Sequence, residues 1–258
     1  MDDAAITLEI DGQGTAWLTL NRPQVHNAFD DTLIARMTAA LVEARDDPRV
    51  RAVAIAARGP SFSAGADLNW MKRMASASHA DNVADALRLA ELLHRLSELP
   101  KPTVALVQGP AYGGGVGLVA ACDIAVAAEE TATFALTEVR LGLVPATISP
   151  YVIAAIGRRQ AQRYFLTAER FGAADALRIG LVHAVVPASA LRPAADRMLQ
   201  ALGQGGPAAL AAAKALIRSV AGRTIDAGLM AETAERIADA RASDEAQSRI
   251  ATFLKRHG

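Results

Sequence analysis

The strongest constraint on the chain lies between Thr103 and Cys122. An apolar run, Thr103-Val104-Ala105-Leu106-Val107, leads into Gln108-Gly109-Pro110-Ala111-Tyr112-Gly113-Gly114-Gly115-Val116-Gly117, and a second apolar run, Leu118 to Cys122, follows. Strand, glycine turn, helix is an order that aims unpaired backbone N–H groups at whatever lies beyond the turn. The first amides of a helix have no intrahelical partner, and the macrodipole adds partial positive charge there. Glycine permits positive φ and removes side chains that would keep a ligand off the backbone. Such a turn suits a phosphate, or an oxygen that gains negative charge during a reaction. It equally suits a tight turn that only packs a helix on a strand. The sharper phosphate signatures are missing: no Gly-Lys-Ser/Thr follows, and Leu118 stands where a dinucleotide fingerprint needs its last glycine. The turn therefore requires a partner elsewhere in the chain.

Composition narrows what that partner serves. With 27 Lys+Arg against 27 Asp+Glu among 258 residues, the formal net charge is zero. Nucleic-acid binding rests on many cationic contacts, so nucleic acid is not the expected partner. One cysteine, Cys122, precludes an intrachain disulfide, suits a reducing compartment and reads as core within its apolar run. Charges interrupt every apolar stretch short of membrane-helix length, and Met1-Asp2-Asp3 is acidic without an apolar signal region. The expectation is a soluble, cytoplasmic protein. His26, His79, His94, His183 and His257 show no ligand spacing, so no metal site is expected, and no Gly-x-Ser-x-Gly elbow points to a hydrolase triad.

Along the chain, Ile6 to Ile10 and Thr15 to Leu20 read as strands joined by the turn Asp11-Gly12-Gln13-Gly14. Asp30 or Asp31 caps a helix with Leu33, Met37 and Leu41 on one face. Val50 to Ala57 is a strand, Leu89, Leu92, Leu93 and Leu96 mark a second helix, and Thr103 to Val107 and Ile124 to Ala127 are further strands. By themselves these elements give an α/β fold with a mixed sheet. From about Ala173 the pattern turns almost purely helical, with Ala208 to Val220, Leu229 to Ala240 and Asp244 to Lys255 as helices, the last started by Asp244…Gln247. The expected division is a core over 1–195 and a helical region over 196–258.

The partner of the glycine turn is Ser61-Phe62-Ser63-Ala64-Gly65-Ala66-Asp67-Leu68. The two loops, with Asn21-Arg22-Pro23, Asn27-Ala28, Pro100-Lys101-Pro102, Ala121-Cys122-Asp123-Ile124, Phe134 to Glu138, Leu141 to Pro145, and Gly180-Leu181-Val182 with Val185-Val186-Pro187, resemble the enoyl-CoA hydratase/isomerase (crotonase) superfamily over nearly the whole chain. The resemblance implies a spiral of ββα turns with a C-terminal helical trimerisation region, assembled as a homotrimer or a dimer of trimers. It implies an acyl-CoA thioester as substrate, with coenzyme A part of that substrate and no separate cofactor. Ala66 and Gly114 match the family's two backbone oxyanion donors, and Glu138 matches its catalytic carboxylate. Contacts to the CoA moiety map onto Val25, Ala64, Ala66, Asp67, Leu68, Asn69 and Gly114, with Phe253 and Lys255 near the nucleotide end, from a neighbouring subunit.

One departure stands out. Hydratases of this family carry a second glutamate where this chain has Gly117. Asp67 to Met74 and Pro145 to Val152 look most like bacterial methylglutaconyl-CoA hydratases, so the expected activity is hydration of a branched, glutaconyl-type enoyl-CoA. The rivals are a Δ3,Δ2-enoyl-CoA isomerase, which a single glutamate suits, and a non-catalytic CoA- or RNA-binding member of the fold. Thr147, Ser149 and Tyr112 are candidates to hold a water in place of the missing carboxylate, or to serve as ordinary capping and turn residues. Lys72 and Arg73 either meet a distal substrate carboxylate or line a solvated helix face. For Glu138 the bland alternative is a solvated ion pair with Arg140.

Overall fold

The computed structural model describes residues 5–257, with His257 as backbone only; Met1-Asp2-Asp3, the His257 side chain and Gly258 lie outside the described residues. The first hairpin is β1 (Ile6–Ile10) and β2 (Thr15–Leu20), antiparallel with Ile6 opposite Leu20. Asp11 closes its turn, accepting from the Gln13 and Thr15 N–H groups at 2.9 and 3.0 Å.

From β2 onward the chain coils. β3 (Ala52–Ala57), β4 (Thr103–Val107), β6 (Ile124–Ala128) and β9 (Ala184–Val186) each add in parallel, giving the order β1-β2-β3-β4-β6-β9. After β2, β3, β4 and β6 the chain crosses to a second, shorter ladder. It holds β5 (Ala111–Tyr112), β7 (Thr133–Ala135) and β8 (Phe171–Gly172), and the isolated bridges Ser63–Ala111 and Phe29–Ala66 extend it. Helices then return the chain: α1 (Asp31–Asp46), α2 (Leu68–Ala75), α3 (His79–Glu98), α4 (Gly114–Ala121), α5 (Ser149–Thr167) and α6 (Ala173–Arg178). This is the ββα spiral the resemblance implies.

Strand alternation divides the core in two. Leu18, Leu20, Val53, Ile55, Ala105 and Val107 pack inward with Leu33, Met37 and Leu41 of α1 and Leu92, Leu93 and Leu96 of α3. Trp17, Ala52, Ala54, Val104, Leu106 and Val126 point outward, beneath Leu191, Ala195 and Leu199 of α7 (Leu191–Gly203). A parallel sheet covered on both faces explains why its central strands, β3, β4 and β6, read as nearly unbroken apolar runs.

The expected division at 195/196 falls inside α7, whose Leu199 packs with the outward-facing strand residues. The region after Ala173 is almost purely helical; among the described residues its strand β9 adds to the large sheet beside β6, three residues being too short for alternation to show.

The remaining helices are α8 (Pro207–Val220), α9 (Ala227–Ala242) and α10 (Asp244–His257), and polar contacts tie α8 to the spiral and to α10. Lys214 meets Asp123 at 2.7 Å and Arg218 meets Glu98 at 3.0 Å. Glu245 accepts from the first-turn N–H groups of Ala208 and Ala209, capping α8 from α10. Ser243, rather than Asp244, caps α10, its hydroxyl accepting from the Ala246 N–H. Among the described residues of these three helices only Leu229 is buried, while Met230, Ile237, Ile250, Phe253 and Leu254 are exposed. Among the described residues no helix is long and apolar enough to cross a membrane, and no three His, Cys, Asp or Glu side chains gather as a metal site.

Candidate active site

The short ladder places the site. Ser63 pairs with Ala111, and Ala111 pairs with Phe134, so three successive turns of the spiral run side by side. Three residues beyond the first pair stand Ala66 and Gly114; four beyond Phe134 stands Glu138. Consecutive turns thus each deliver one candidate residue to the same end of the ladder. Backbone bonds fix the register: Tyr112 N–H to Ser63 O at 2.9 Å, Ser63 N–H to Pro110 O at 3.1 Å, and Gly113 N–H to Ala135 O at 2.9 Å. Gly65, at φ 90°, lets the first two loops touch; a Cβ there would lie 3.0 Å from the Tyr112 carbonyl oxygen.

Both candidate donors present their N–H groups away from the chain's own acceptors. Phe29 N–H donates to Gly65 O at 2.6 Å and Asp67 N–H to Phe29 O at 2.8 Å. In a parallel bridge of this pattern the middle residue, Ala66, turns its own N–H to the opposite side. Ala66 is exposed there. Gly114 is the first residue of α4, and the preceding Gly113, at φ 48°, gives its carbonyl to Val116 and Gly117 at 2.9 and 3.2 Å. An amide at that position has no intrahelical acceptor.

Glu138 opens a 3-10 turn, Glu138–Leu141, directly after β7. Its Oε1 lies 3.0 Å from where a Gly113 Cβ would stand, and its Oε2 is buried without a hydrogen-bond partner. Burial raises the carboxyl's affinity for its proton, opposed only by a hydrogen bond from its own backbone; no neighbouring charge contributes. The ion pair with Arg140 does not form, and Arg140 is exposed. A desolvated carboxyl beside two outward-facing amides can take and return a proton next to a polarised oxygen.

One turn further along α4 lies Gly117, and here the structure adds what the sequence did not show. A Cβ on Gly117 would collide with Ile148 Cγ2 and stand 2.7 Å from Ile148 Cβ. Ile148, only 2% exposed, fills the place beside the helix. The missing carboxylate is thus replaced by hydrocarbon rather than by open space.

Of the water-holding candidates, Ser149 donates to Ala146 O at 2.8 Å and Tyr112 hydrogen-bonds Thr133 at 3.1 Å, so both hydroxyls are engaged locally. Thr147 is half-buried and next to Ile148. Asp67 caps α2, accepting from Asn69 and Trp70 N–H groups at 2.8 and 3.2 Å. Ala64, Leu68 and Asn69 are exposed around it, and Val25, half-buried, ends the turn whose neighbour His26 accepts from Ala64 N–H at 2.9 Å. Phe253 and Lys255 sit exposed on the last turns of α10, which is anchored through Arg249 to Gln204 O and Gly205 O. Arg73 is paired with Asp31 at 2.9 Å, whereas Lys72 is exposed. Burial pushes the Cys122 thiol up to about 12, which makes it a packing residue rather than a nucleophile. The sequence alone assigns no role to Arg22, Asn27 or Ile148, although all three lie in quoted motifs.

The enoyl-CoA hydratase/isomerase family model matches residues 11–257. A solved enoyl-CoA hydratase from Shewanella pealeana is 41% identical with a TM-score of 0.94, over 98% of this chain and 94% of that one. A Legionella pneumophila structure assigned to the enoyl-CoA hydratase/isomerase (crotonase) group is 43% identical with a TM-score of 0.91, over 99% and 98%. A trans-2-decenoyl-[acyl-carrier-protein] isomerase from Streptococcus mutans is 33% identical over 84% of this chain and 82% of its own length. With this fold, these aligned loops and a match running almost end to end, the chain belongs to the enoyl-CoA hydratase/isomerase family.

Proposed function

We propose that the protein hydrates an α,β-unsaturated acyl-CoA thioester, holding the thioester oxygen with the Ala66 and Gly114 N–H groups and using Glu138 as its acid/base. The observation that carries this reading is the buried Glu138 carboxyl against Gly113, at the end of the ladder that presents both amides. Polarising the thioester carbonyl makes Cβ electrophilic. Water adds there, negative charge collects on the oxygen, and Glu138 exchanges the proton between water and Cα. One oxyanion donor is worth about 2.7–4 kcal/mol of barrier, and a positioned acid/base about 10²–10⁴-fold in rate. Thr147 is the hydroxyl left to orient the water.

For the substrate we propose a branched, glutaconyl-type acyl group whose distal carboxylate meets Lys72 and helps orient the water. The CoA moiety then runs along Val25, Ala64, Leu68 and Asn69. Phe253 and Lys255 approach its nucleotide end from a neighbouring copy in a trimer or a dimer of trimers, through the exposed apolar faces of α9 and α10. Incubation with a panel of enoyl-CoAs, followed by mass, tests the chemistry: hydration adds the mass of water. Crotonyl-CoA, which lacks the distal carboxylate, is expected to turn over far more slowly than the dicarboxylic thioester; equal rates reject substrate assistance. Light scattering that shows a monodisperse monomer rejects the assembly.

A specific observation favours a second reading. Ile148 leaves Glu138 without a second carboxylate beside α4, and one base suffices to move a proton between C2 and C4 of an enoyl thioester. Isomerisation leaves the mass unchanged and shifts the double bond, so the same panel separates the two. A non-catalytic CoA- or RNA-binding role requires that no thioester in the panel react.

A further inference from the structure

We infer that Arg22 is a positioning residue that holds the Ala66 N–H in place, by clamping the two chain segments whose bridge presents it. The inference rests on the reading of Ala66 as an oxyanion donor. A guanidinium offers five donors in a fixed planar fork. In Arg22 the fork spans the bridge. Nη1 donates to Ala28 O at 2.9 Å and meets Asp30 Oδ2 at 2.7 Å on one side, while Nη2 reaches Asp67 Oδ2 at 3.4 Å on the other. Ala28 and Asp30 flank Phe29, and Asp67 follows Ala66, so the fork holds both strands of the Phe29–Ala66 bridge.

Both carboxylates are fixed from behind. The second oxygen of Asp30 accepts from Leu33 N–H at 2.7 Å and caps α1, and that of Asp67 caps α2. The backbone of Arg22 continues the clamp. Its N–H donates to Asn27 Oδ1 at 2.8 Å, and Asn27, fully buried, donates through Nδ2 to Arg58 O and Ser61 O, both at 2.9 Å. Ser63 Oγ in turn donates to Asn27 O at 2.9 Å. His26 and Asn27 both sit at φ 53°, a left-handed region that side-chain-bearing residues seldom occupy. Backbone held this way by so many bonds marks a segment whose position is enforced. What it enforces is the placement of residues 63–67.

A donor must lie within hydrogen-bonding distance of the developing oxyanion, so a small displacement of Ala66 costs rate rather than ground-state affinity. Lysine cannot replace the fork, because one ammonium cannot reach Ala28 O, Asp30 and Asp67 together. The test uses the full-length protein, Arg22→Met and Arg22→Lys. Saturated butyryl-CoA, ¹³C-labelled at the carbonyl, reports polarisation through its infrared stretch without turnover, while the enoyl-CoA of the panel that the wild type turns over fastest gives kcat and KM. We expect the wild type to lower the carbonyl frequency and Arg22→Met to lose that shift. Its kcat should fall about 10- to 100-fold, up to the effect of removing a donor, with KM within a few-fold. Arg22→Lys should fall between; where Arg22→Met does not fold, Arg22→Lys decides alone. Variants that keep both kcat and the carbonyl shift overturn the inference, as do variants that lose only thermal stability or KM. If the wild type itself leaves the carbonyl frequency unchanged, the oxyanion reading fails and the inference with it.

Discussion

Gly113 caps α4 and Gly117 lies one turn into it, and their surroundings are opposite. The place beside Gly113 holds the Glu138 carboxylate, with Oε1 3.0 Å from the absent Cβ. The place beside Gly117 holds Ile148, whose Cβ is 2.7 Å from the absent one. A charge-bearing side chain meets the glycine turn before α4, and a hydrocarbon plug meets the helix itself. In both places glycine gives its volume to a side chain from a later turn of the spiral. At Gly113 the guest is a proton carrier, and at Gly117 it excludes one. Chemistry here is decided by what fills the glycine gap, and a glycine-rich turn alone does not reveal it.

The largest expected effect breaks the polar half. Glu138→Gln keeps the shape and removes the proton exchange, so kcat should fall by about 10²–10⁴-fold while CoA-ester binding stays within a few-fold. Steady-state kinetics and calorimetric titration with a saturated acyl-CoA check the two halves. A variant retaining more than a tenth of the wild-type rate removes Glu138 from the mechanism.

The next effect inverts the apolar half. Gly117→Glu would aim its carboxylate toward the helix N-terminus, over Gly113 and toward Glu138. It cannot enter alone, since Ile148 stands where its Cβ must go; installing a second carboxylate at this one position is not a route to a two-carboxylate site. Overpacking of this kind costs about 1–3 kcal/mol or more. Ile148→Ala would leave the offending Cβ, so the rescue is Ile148→Gly. Denaturant unfolding should show the double variant Gly117→Glu/Ile148→Gly to be more stable than the two single losses sum to, a coupling of about 0.5–3 kcal/mol. Simple additivity would mean that the two positions do not share that space.

The contrast also marks where sequence stops being informative. Strands β2, β3, β4 and β6 were legible because both sheet faces are covered and every position but Thr15, Thr19 and Thr103 is apolar. Helix α1 announced itself through Asp30 and the Leu33, Met37, Leu41 stripe. The short ladder was not legible. β5, β7 and β8 run two or three residues, below one period of alternation, yet they set the register that aligns Ala66, Gly114 and Glu138. Those three residues were found only through the resemblance. Ile148 lay in view as one apolar residue among many; nothing local says it faces Gly117, 31 residues upstream. Arg22 carries a motif arginine's ordinary appearance, and its fork joins partners up to 45 residues away.

The smallest effect separates the two places by pH. Burial raises the Glu138 carboxyl above its ordinary value of 4.5, so the folded protein binds that proton more tightly than the unfolded chain. The resulting stabilisation is fully present below pH 4.5 and is lost as pH rises through the folded-state value. At neutral pH the wild type therefore carries the cost of a desolvated charge, with Oε2 unpartnered. The amide of the Glu138→Gln variant never carries it. Thermal unfolding of Glu138→Gln should match the wild type near pH 4 and lie above it near pH 8, with the gap opening between. Ile148→Val, on the apolar side, loses one methyl group and about 0.5–1.5 kcal/mol, with no titrating group involved. Its loss should be the same at both pH values. A Glu138→Gln gap that stays constant with pH would show that the carboxyl is solvated in the folded protein. The asymmetry between the Gly113 and Gly117 places would then be one of shape alone.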